Sequence, residues 1–478
     1  MNLFSTNKTI KTVFWSGVER FSVQGVQFFL NIILARLVTP ADFGLIAMLN
    51  VFIVIAQSFV DSGFSNAIIQ KKNRTESDYT TVFIFNIFIS TIIYILLYSA
   101  APFIASFYHE EKLCLICRIV GISLIIQGLS VVQIAKVSID LNFKTLAKVS
   151  LTSILISGAI GIVCAFYGLG VWALVAQTIS NSLLNTILLF ILVHWTPKGR
   201  FSFASLTTMF TFGSKLLVSG LLHTIYTNLY SLVIGRKFSP SDVGYYNQSN
   251  IIARFPSVSL MAVITRALYP LQCKNQDNDD LLTSSFYIYL RFSCFVVFPI
   301  MMFITVSAKA LVLTVLTDNW LPAVPIIQLL CIGYMLNGII AQNNQILNVK
   351  GRSDLYLKAE IIKKIIGIII LVVSLPFGLI CICSGIIIYN IMDMIIIIAF
   401  SGTILNIGGL RQFKQILPIF LCSLIASFVT YLSMLFFDIY ILQIFIGAII
   451  FISSYIFFCK IFKIEEFKYI TKFVKQNL

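Results

Sequence analysis

The chain has 478 residues, of which 58% are hydrophobic and only 11% charged, with a mean hydropathy of +0.94. Soluble domains average about 45–50% apolar and about 25% charged, so a soluble fold is excluded and a polytopic membrane protein is implied. The 34 Lys and Arg against 19 Asp and Glu give a net charge of +15 and a pI near 9.3, an excess expected first in loops flanking membrane spans rather than in a nucleic-acid surface.

A helical span needs about 20 apolar residues. Apolar runs between polar breaks place spans near 11–37, 43–65, 79–101, 114–136, 147–167, 171–193, 207–234, 243–270, 285–308, 322–348, 357–375, 379–401, 415–436 and 440–460, fourteen in all. The first apolar stretch begins at Val13, is interrupted by Glu19 and Arg20, and runs to Val38 without a small-residue cleavage site, so it reads as a retained span rather than a signal peptide. On it Ser16, Arg20, Gln24, Gln27 and Asn31 recur at spacings of three and four and share one helical face.

At the first span junction stands Arg36-Leu-Val-Thr39-Pro40-Ala-Asp42-Phe-Gly44, and the following span carries Asn50, Gln57 and Asp61. Two hundred residues on, Arg236-Lys-Phe-Ser239-Pro240-Ser-Asp242-Val-Gly244 repeats the pattern R-x-x-[ST]-P-x-D-x-G, with Asn250 matching Asn50. Five aligned identities at two span junctions make an internal repeat. Pro ends one helix, Ser or Thr with Asp caps the next, and Gly permits a tight approach. Six spans separate the copies, so the halves are parallel repeats about an axis along the membrane normal, a plan used by transporters. The expected fold is an all-α polytopic protein with lobes at 1–200 and 201–410, and two further spans with a basic tail at 411–478.

The seventh span repeats the polar stripe with Lys215, Ser219, His223, Tyr226 and Tyr230, and the eighth carries Asn247, Asn250, Arg254 and Ser257. With the N-terminus in the cytoplasm, 21 basic residues fall in inner connections and tails and five in outer ones, which fixes both termini inside. Trp15 and Trp195 then fall at inner span ends, and Trp172 and Trp320 at outer ones, as interfacial anchors do.

Eight basic residues remain inside spans: Arg20, Arg118, Lys215, Arg254, Arg266, Arg291, Lys363 and Lys364. A charge in hydrocarbon is costly, so such residues face a bundle interior or a wet cavity. Lys363 and Lys364 can snorkel to the inner surface and Arg118 to the outer. Buried pairs that merely lock helices, Glu19 or Asp61 with Arg20, or Asp393 with Lys364, are the plain alternative. The acidic candidates Glu19, Asp61, Glu360 and Asp393 are fewer than the basic ones, so a positive cavity remains that would attract an anion. Arg20, Lys215, Arg254, Arg266 and Arg291 suit a phosphate or pyrophosphate from the inner leaflet, since Arg offers a planar fork and Lys a point charge. Gln24, Gln27, Asn31, Asn50, Asn247, Asn250 and His223 would line a polar path, His223 more simply as a satisfied interior histidine than as a proton carrier.

Ala35-Arg-Leu-Val-Thr-Pro-Ala-Asp-Phe-Gly-Leu-Ile-Ala-Met48 and Asp61-Ser-Gly-Phe-Ser-Asn-Ala-Ile-Ile-Gln-Lys-Lys72, with weaker similarity at Pro270 and Val349-Lys-Gly-Arg-Ser-Asp354, resemble the Wzx-type polysaccharide flippases of the MOP superfamily. The resemblance implies a MATE-like fold of two six-helix lobes that alternate between inward- and outward-open states. It further implies an undecaprenyl-pyrophosphate-linked oligosaccharide as substrate, moved to the periplasmic leaflet of the bacterial inner membrane for O-antigen or capsule synthesis, with a polymerase and chain-length machinery as partners. The phosphate assignments themselves rest on spacing and depth. No G-x-x-x-x-G-K-[ST] run is present, so an ion gradient, with Glu19, Asp61 or Asp393 as the titrating group, or the substrate gradient would drive the cycle.

Neither cofactor, metal nor nucleic acid is expected: the ten Cys are scattered, and the pairs Cys114/Cys117 and Cys381/Cys383 have no His at ligand spacing. Two other classes compete. A MATE-type cation antiporter would favour an acid-lined cavity, and an intramembrane polymerase or ligase would need a large outer loop, whereas here only His109 among the histidines lies in an outer connection.

Overall fold

The computed structural model describes residues 6–467 apart from Ser62 and Asn406, and for residues 6–21 and for Phe212, Lys215, Leu216, Ser219 and His223 it describes the backbone alone. The described residues are helical, without strands, and fall into two compact units, Met1–Gly244 and Tyr245–Leu478. The first holds α1 (Thr6–Leu37), α2 (Pro40–Asp61), α3 (Phe64–Gln70), α4 (Glu76–Tyr108), α5 (Lys112–Gly128), α6 (Val131–Ile139), α7 (Phe143–Phe166), α8 (Val171–Val193) and α9 (Phe203–Lys237). After α10 (Pro240–Lys274), which begins in the first unit, the second holds α11 (Asp279–Val315), α12 (Ala323–Met335), α13 (Asn337–Val349), α14 (Ser353–Ser374), α15 (Leu379–Gly402), α16 (Gly409–Met434) and α17 (Tyr440–Ile461).

Among the described residues ten helical stretches, counting α2 with α3 and α12 with α13, are long and apolar enough to cross a membrane, or eleven when α5 and α6, bent by 41°, count as one span. That is fewer than the fourteen expected. The other three expected segments are helical as well, as α1, α9 and α14, but α14 carries Lys358, Glu360, Lys363 and Lys364, too many charges for an apolar span. Large apolar side chains stay exposed along the outside of the helices, among them Phe103, Val372, Phe436 and Phe445. In water such a surface would aggregate; against lipid it is the ordinary one. The protein is therefore a multi-pass membrane protein.

The repeated pattern has the same local structure in both copies. Thr39 Oγ1 accepts from the Asp42 backbone N–H at 3.3 Å and donates to the Asp42 carboxylate at 2.7 Å; Ser239 does the same with Asp242 at 3.3 and 2.8 Å. The Ser239 N–H also donates to the Asp242 carboxylate at 3.2 Å, closing a capping box. Pro40 and Pro240 take the first helical position, where no donor is needed. Arg36 and Arg236 close the preceding helices at the end where the helix dipole favours a cation.

The glycines carry the contact between the copies. A Cβ on Gly44 would overlap the Pro240 carbonyl, and one on Gly244 would overlap the Pro40 carbonyl. Two helix starts thus touch backbone to backbone, which only residues without side chains allow.

Three spans are broken. α2 gives way to α3 at Gly63, in the left-handed region at φ 68°. α5 gives way to α6 after Gly128, and α12 to α13 at Leu336. The last two are the fourth and tenth expected spans, the same place in each repeat. At both, hydroxyls from neighbouring helices donate to carbonyls at the break: Thr186 to Ile126 at 3.0 Å, and Ser257 to Tyr334 at 2.9 Å. Such donation is what lets a helix break within a bilayer.

Trp195 and Trp320, expected as interfacial anchors, are instead core residues, 6% and 0% exposed. Trp195 packs with Phe64, Ile68, Val82, Phe83, Val132 and Met209 and donates its indole N–H to Glu76 at 3.0 Å. A ring this large gains more from burial than from the interface once its one donor has a partner. Beyond α13, Arg352 holds Asp354 in a fork at 2.9 and 2.8 Å, and this hydrogen bonding pulls the Asp354 carboxyl down to about 2.

Gly44→Ala forces the Pro240 backbone to move, and overpacking of this kind costs about 1–3 kcal/mol. The detergent-solubilised variant should melt several degrees below wild type. Gly25→Ala, where a Cβ meets nothing within 4 Å, should not.

Candidate functional site

In the first unit the polar residues of α1 and α2 form short local pairs. Gln27 donates to Asn31 at 3.5 Å, and Gln57 donates to Asp61 at 3.2 Å. Ser58 on α2 lies 3.2 Å from Thr224 on α9, a link between the stripes of two expected spans that sequence spacing does not reveal. Gln24 and Asn50 are exposed, as residues of a wet path would be. The side chains of Glu19, Arg20, Lys215 and His223 lie outside the described residues.

The second unit builds a tighter constellation on α10. Asn250, Arg254 and Ser257 follow at spacings of four and three, so they share a face. That face meets the break between α12 and α13. The Tyr334 hydroxyl donates to Asn250 at 2.6 Å, Ser257 donates to the Tyr334 carbonyl, and Asn337 donates to Ser257 at 3.0 Å. Arg254, in the middle of this network and close enough to Tyr334 to act on it electrostatically, has an exposed side chain. Among the described residues neither Arg254 nor Arg266, which is also exposed, has a carboxylate partner. A guanidinium beside this polar frame, without a carboxylate partner among the described residues, can receive the oxygens of an anion. Tyr334 and Asn337 are not legible as members from the sequence, because nothing local shows which polar residues of α12 and α13 face α10. The available signal was the amide-rich stretch of α13, with Asn337, Gln342, Asn343, Asn344 and Gln345, inside an expected span.

Among the described side chains, the remaining basic residues of the spans have partners. Arg291 forks onto Glu466 at 2.6 and 2.9 Å, donates to Gln415 at 2.9 Å and lies 3.7 Å from Glu465. Its charge ties α11 to the segment after α17. Arg118 lies over the Tyr98 ring at 4.3 Å. Lys363 does not snorkel: it is 3% exposed, with Glu360 at 2.5 Å and Asp393 at 3.1 Å. The partner expected for Asp393 was Lys364; the structure puts the neighbouring lysine there, because Lys363 is the one on the α15 side of α14. Two carboxylates around one ammonium leave this buried group with a formal charge of −1. Basic loop residues are also engaged locally: Lys71 pairs with Asp78 at 2.6 Å, and Arg74 caps the α3 carbonyls of Ile68 and Ile69 at 2.8 and 2.5 Å.

Comparison with known proteins follows the same lines. A family model described as polysaccharide biosynthesis protein matches residues 33–325. The chain is 27% identical over 346 residues to the teichuronic acid biosynthesis protein TuaB of Bacillus subtilis (strain 168), covering 71% of each chain. It is 24% identical over 373 residues to the lipopolysaccharide biosynthesis protein WzxC of Escherichia coli (strain K12), covering 77% of this chain and 75% of that one. Its fold matches that of a lipid II flippase, MurJ, in an inward closed conformation, with a TM-score of 0.74 over 94% of this chain and 98% of the other at 17% identity.

Replacing Lys363 by Met strands Glu360 and Asp393 without a counter-charge. Breaking a buried pair costs roughly 3–5 kcal/mol, so the variant should show a markedly lowered melting temperature. The double variant Lys363→Met/Asp393→Asn should recover much of the loss.

Proposed function

This chain belongs to the polysaccharide biosynthesis protein family, and from that membership we propose that it is a flippase, a transporter rather than an enzyme. It moves an undecaprenyl-pyrophosphate-linked oligosaccharide from the cytoplasmic to the periplasmic leaflet of the bacterial inner membrane, for surface polysaccharide synthesis. The match of its fold to a lipid II flippase and the names of its relatives support the reading. The single observation that carries it is Arg254, without a carboxylate partner among the described residues and beside the frame of Asn250, Ser257 and Tyr334. A cation left unneutralised on a membrane helix is functional by default, and an anionic substrate is the simplest reason to keep it.

Alternating access runs between lobes at 1–200 and 201–410, with 411–478 as an addition and both termini in the cytoplasm. The pyrophosphate is held by Arg254 together with Arg20, Lys215 and Arg266. Arg291 is left out, because its donors already go to Glu466 and Gln415. Gln24, Gln27, Asn31, Asn50, Asn247 and Asn250 replace water around the sugar hydroxyls, and the prenyl chain stays in lipid. The conformational change follows from differential affinity: substrate loads the inward state and leaves the outward one. For ion coupling Asp61 is the better placed carboxylate, since Asp393 is held by Lys363. A polymerase and chain-length machinery receive the product.

The test follows surface polysaccharide in a strain that depends on this gene. Arg254→Ala, present in the membrane at the wild-type level, should lower export about tenfold or more, equivalent to about 1.4 kcal/mol of lost binding. Arg254→Lys should retain part of it, since a point charge remains without the fork. Normal export by Arg254→Ala sinks the assignment.

A further inference from the structure

At the break between α2 and α3 the first unit has an open cleft of about 380 Å³ lined by Ser58, Asp61, Gly63, Ser65, Asn66, Val131, Ile134, Leu217 and Gly220. Its size lies within the roughly 300–1,000 Å³ of small-molecule sites. The lining is divided. Ser58, Asp61, Ser65 and Asn66, all from the α2–α3 corner, supply hydroxyls, a carboxylate and a carboxamide; Val131 and Ile134 on α6 and Leu217 on α9 supply an apolar wall. Gly63 and Gly220 keep both walls low.

A pyranose has this same division, with a rim of hydroxyl groups and a flat face of C–H bonds. The open side of the cleft lets such a ring enter, and the polar wall offers it hydrogen-bond donors and acceptors. The Asp61 carboxylate is steadied from one side by Gln57, one turn back on α2, at 3.2 Å through Oδ1. Asp61 is the charged side chain among the described residues of the lining. An acidic sugar would meet it with like charge, whereas vicinal hydroxyls or an amino group would not.

We propose that this cavity is a sugar subsite of the transporter, which takes a neutral or amino sugar of the lipid-linked head group, with Asp61 and Asn66 engaging adjacent hydroxyls and the apolar wall covering the C–H face. The proposal rests on the flippase reading above and adds the site that recognises the sugar itself. On the orientation proposed there, α2 runs inward and the cavity opens near the cytoplasmic end, beside the loop that carries Lys71, Lys72 and Arg74. The substrate is therefore read as it loads. Sugar specificity then belongs to the first unit, while Arg254 in the second answers to the pyrophosphate common to all such carriers.

Gly220 offers a clean probe. A Cβ there meets nothing within 4 Å, so a larger side chain grows into the cavity without striking the fold. Purified wild type, Gly220→Leu and Asn66→Leu are titrated in lipid nanodiscs with undecaprenyl pyrophosphate and with the lipid-linked repeat unit extracted from the host strain. Wild type should bind the sugar-bearing lipid at least tenfold more tightly than the bare one. Both variants should bind the bare lipid as wild type does and lose most of the tenfold preference, and cells carrying them should show reduced surface polysaccharide. Gly408→Leu, at another glycine whose Cβ meets nothing within 4 Å and far along the chain from the cavity, should export normally. Variants that keep the full preference overturn the subsite. Wild type that binds neither lipid overturns the flippase reading, a different outcome from the loss of the sugar preference alone.

Discussion

Inside a bilayer no water is available to satisfy a backbone N–H or C=O, and every interruption of a helix must be repaired by the protein itself. Most features of this molecule that bear on function follow from that constraint. Among the described residues the helices break at three places; at two of them side-chain hydroxyls satisfy freed carbonyls, and at the third the break at Gly63 opens a polar corner. Around Leu336 the repair recruits Ser257 and Asn337, and with them Asn250 and the Tyr334 hydroxyl, so that Arg254 is framed. Around Gly63 the break leaves a corner lined with serines, Asn66 and Asp61. Along helices that continue unbroken, such as α4, α7 and α17, large apolar side chains such as Phe103, Val163 and Phe445 are exposed.

The same economy governs charge. A cation among these helices is kept either by a carboxylate or by a purpose. Arg291 with Glu466 and Gln415, and Lys363 with Glu360 and Asp393, are of the first kind and hold neighbouring segments together. Removing one partner from such a group is far more damaging than removing the whole group, which makes them rigid points. Arg254 and Arg266 are of the second kind. Among the described residues the division leaves Arg254 and Arg266 as the in-span cations without a carboxylate, and these are the ones proposed to meet an anion.

The repeat gives the two helix starts their common geometry. Thr39 with Asp42 and Ser239 with Asp242 cap the starts in the same way, and Gly44 and Gly244 let the two backbones meet. Each identity in the pattern R-x-x-[ST]-P-x-D-x-G has a local physical role. Arg complements the helix dipole, Ser or Thr caps, Pro occupies a first turn that needs no donor, Asp accepts reciprocally, and Gly presents a surface without a side chain. None of these roles concerns substrate. The pattern is legible in the sequence because helix capping is a matter of neighbours along the chain.

The sequence by itself determined the all-helical membrane class, the helical segments, the repeat and the caps, since each depends on hydropathy over about 20 residues or on contacts within one turn. It also picked out the ionisable residues that need an explanation. It did not separate paired cations from free ones, because the partner of Arg291 lies 175 residues away and Lys363 and Lys364 differ only by the helix face they occupy. It took Trp195 and Trp320 for interfacial anchors, because hydropathy does not show that a ring has a core to enter. The tertiary structure decided those points, and it decided where the helices break and what gathers there. Tyr334 meets Asn250, and Ser58 and Asp61 meet Leu217 and Gly220, only when segments distant in sequence pack together. Periodicity fixes which side chains share a face; packing alone fixes which faces meet.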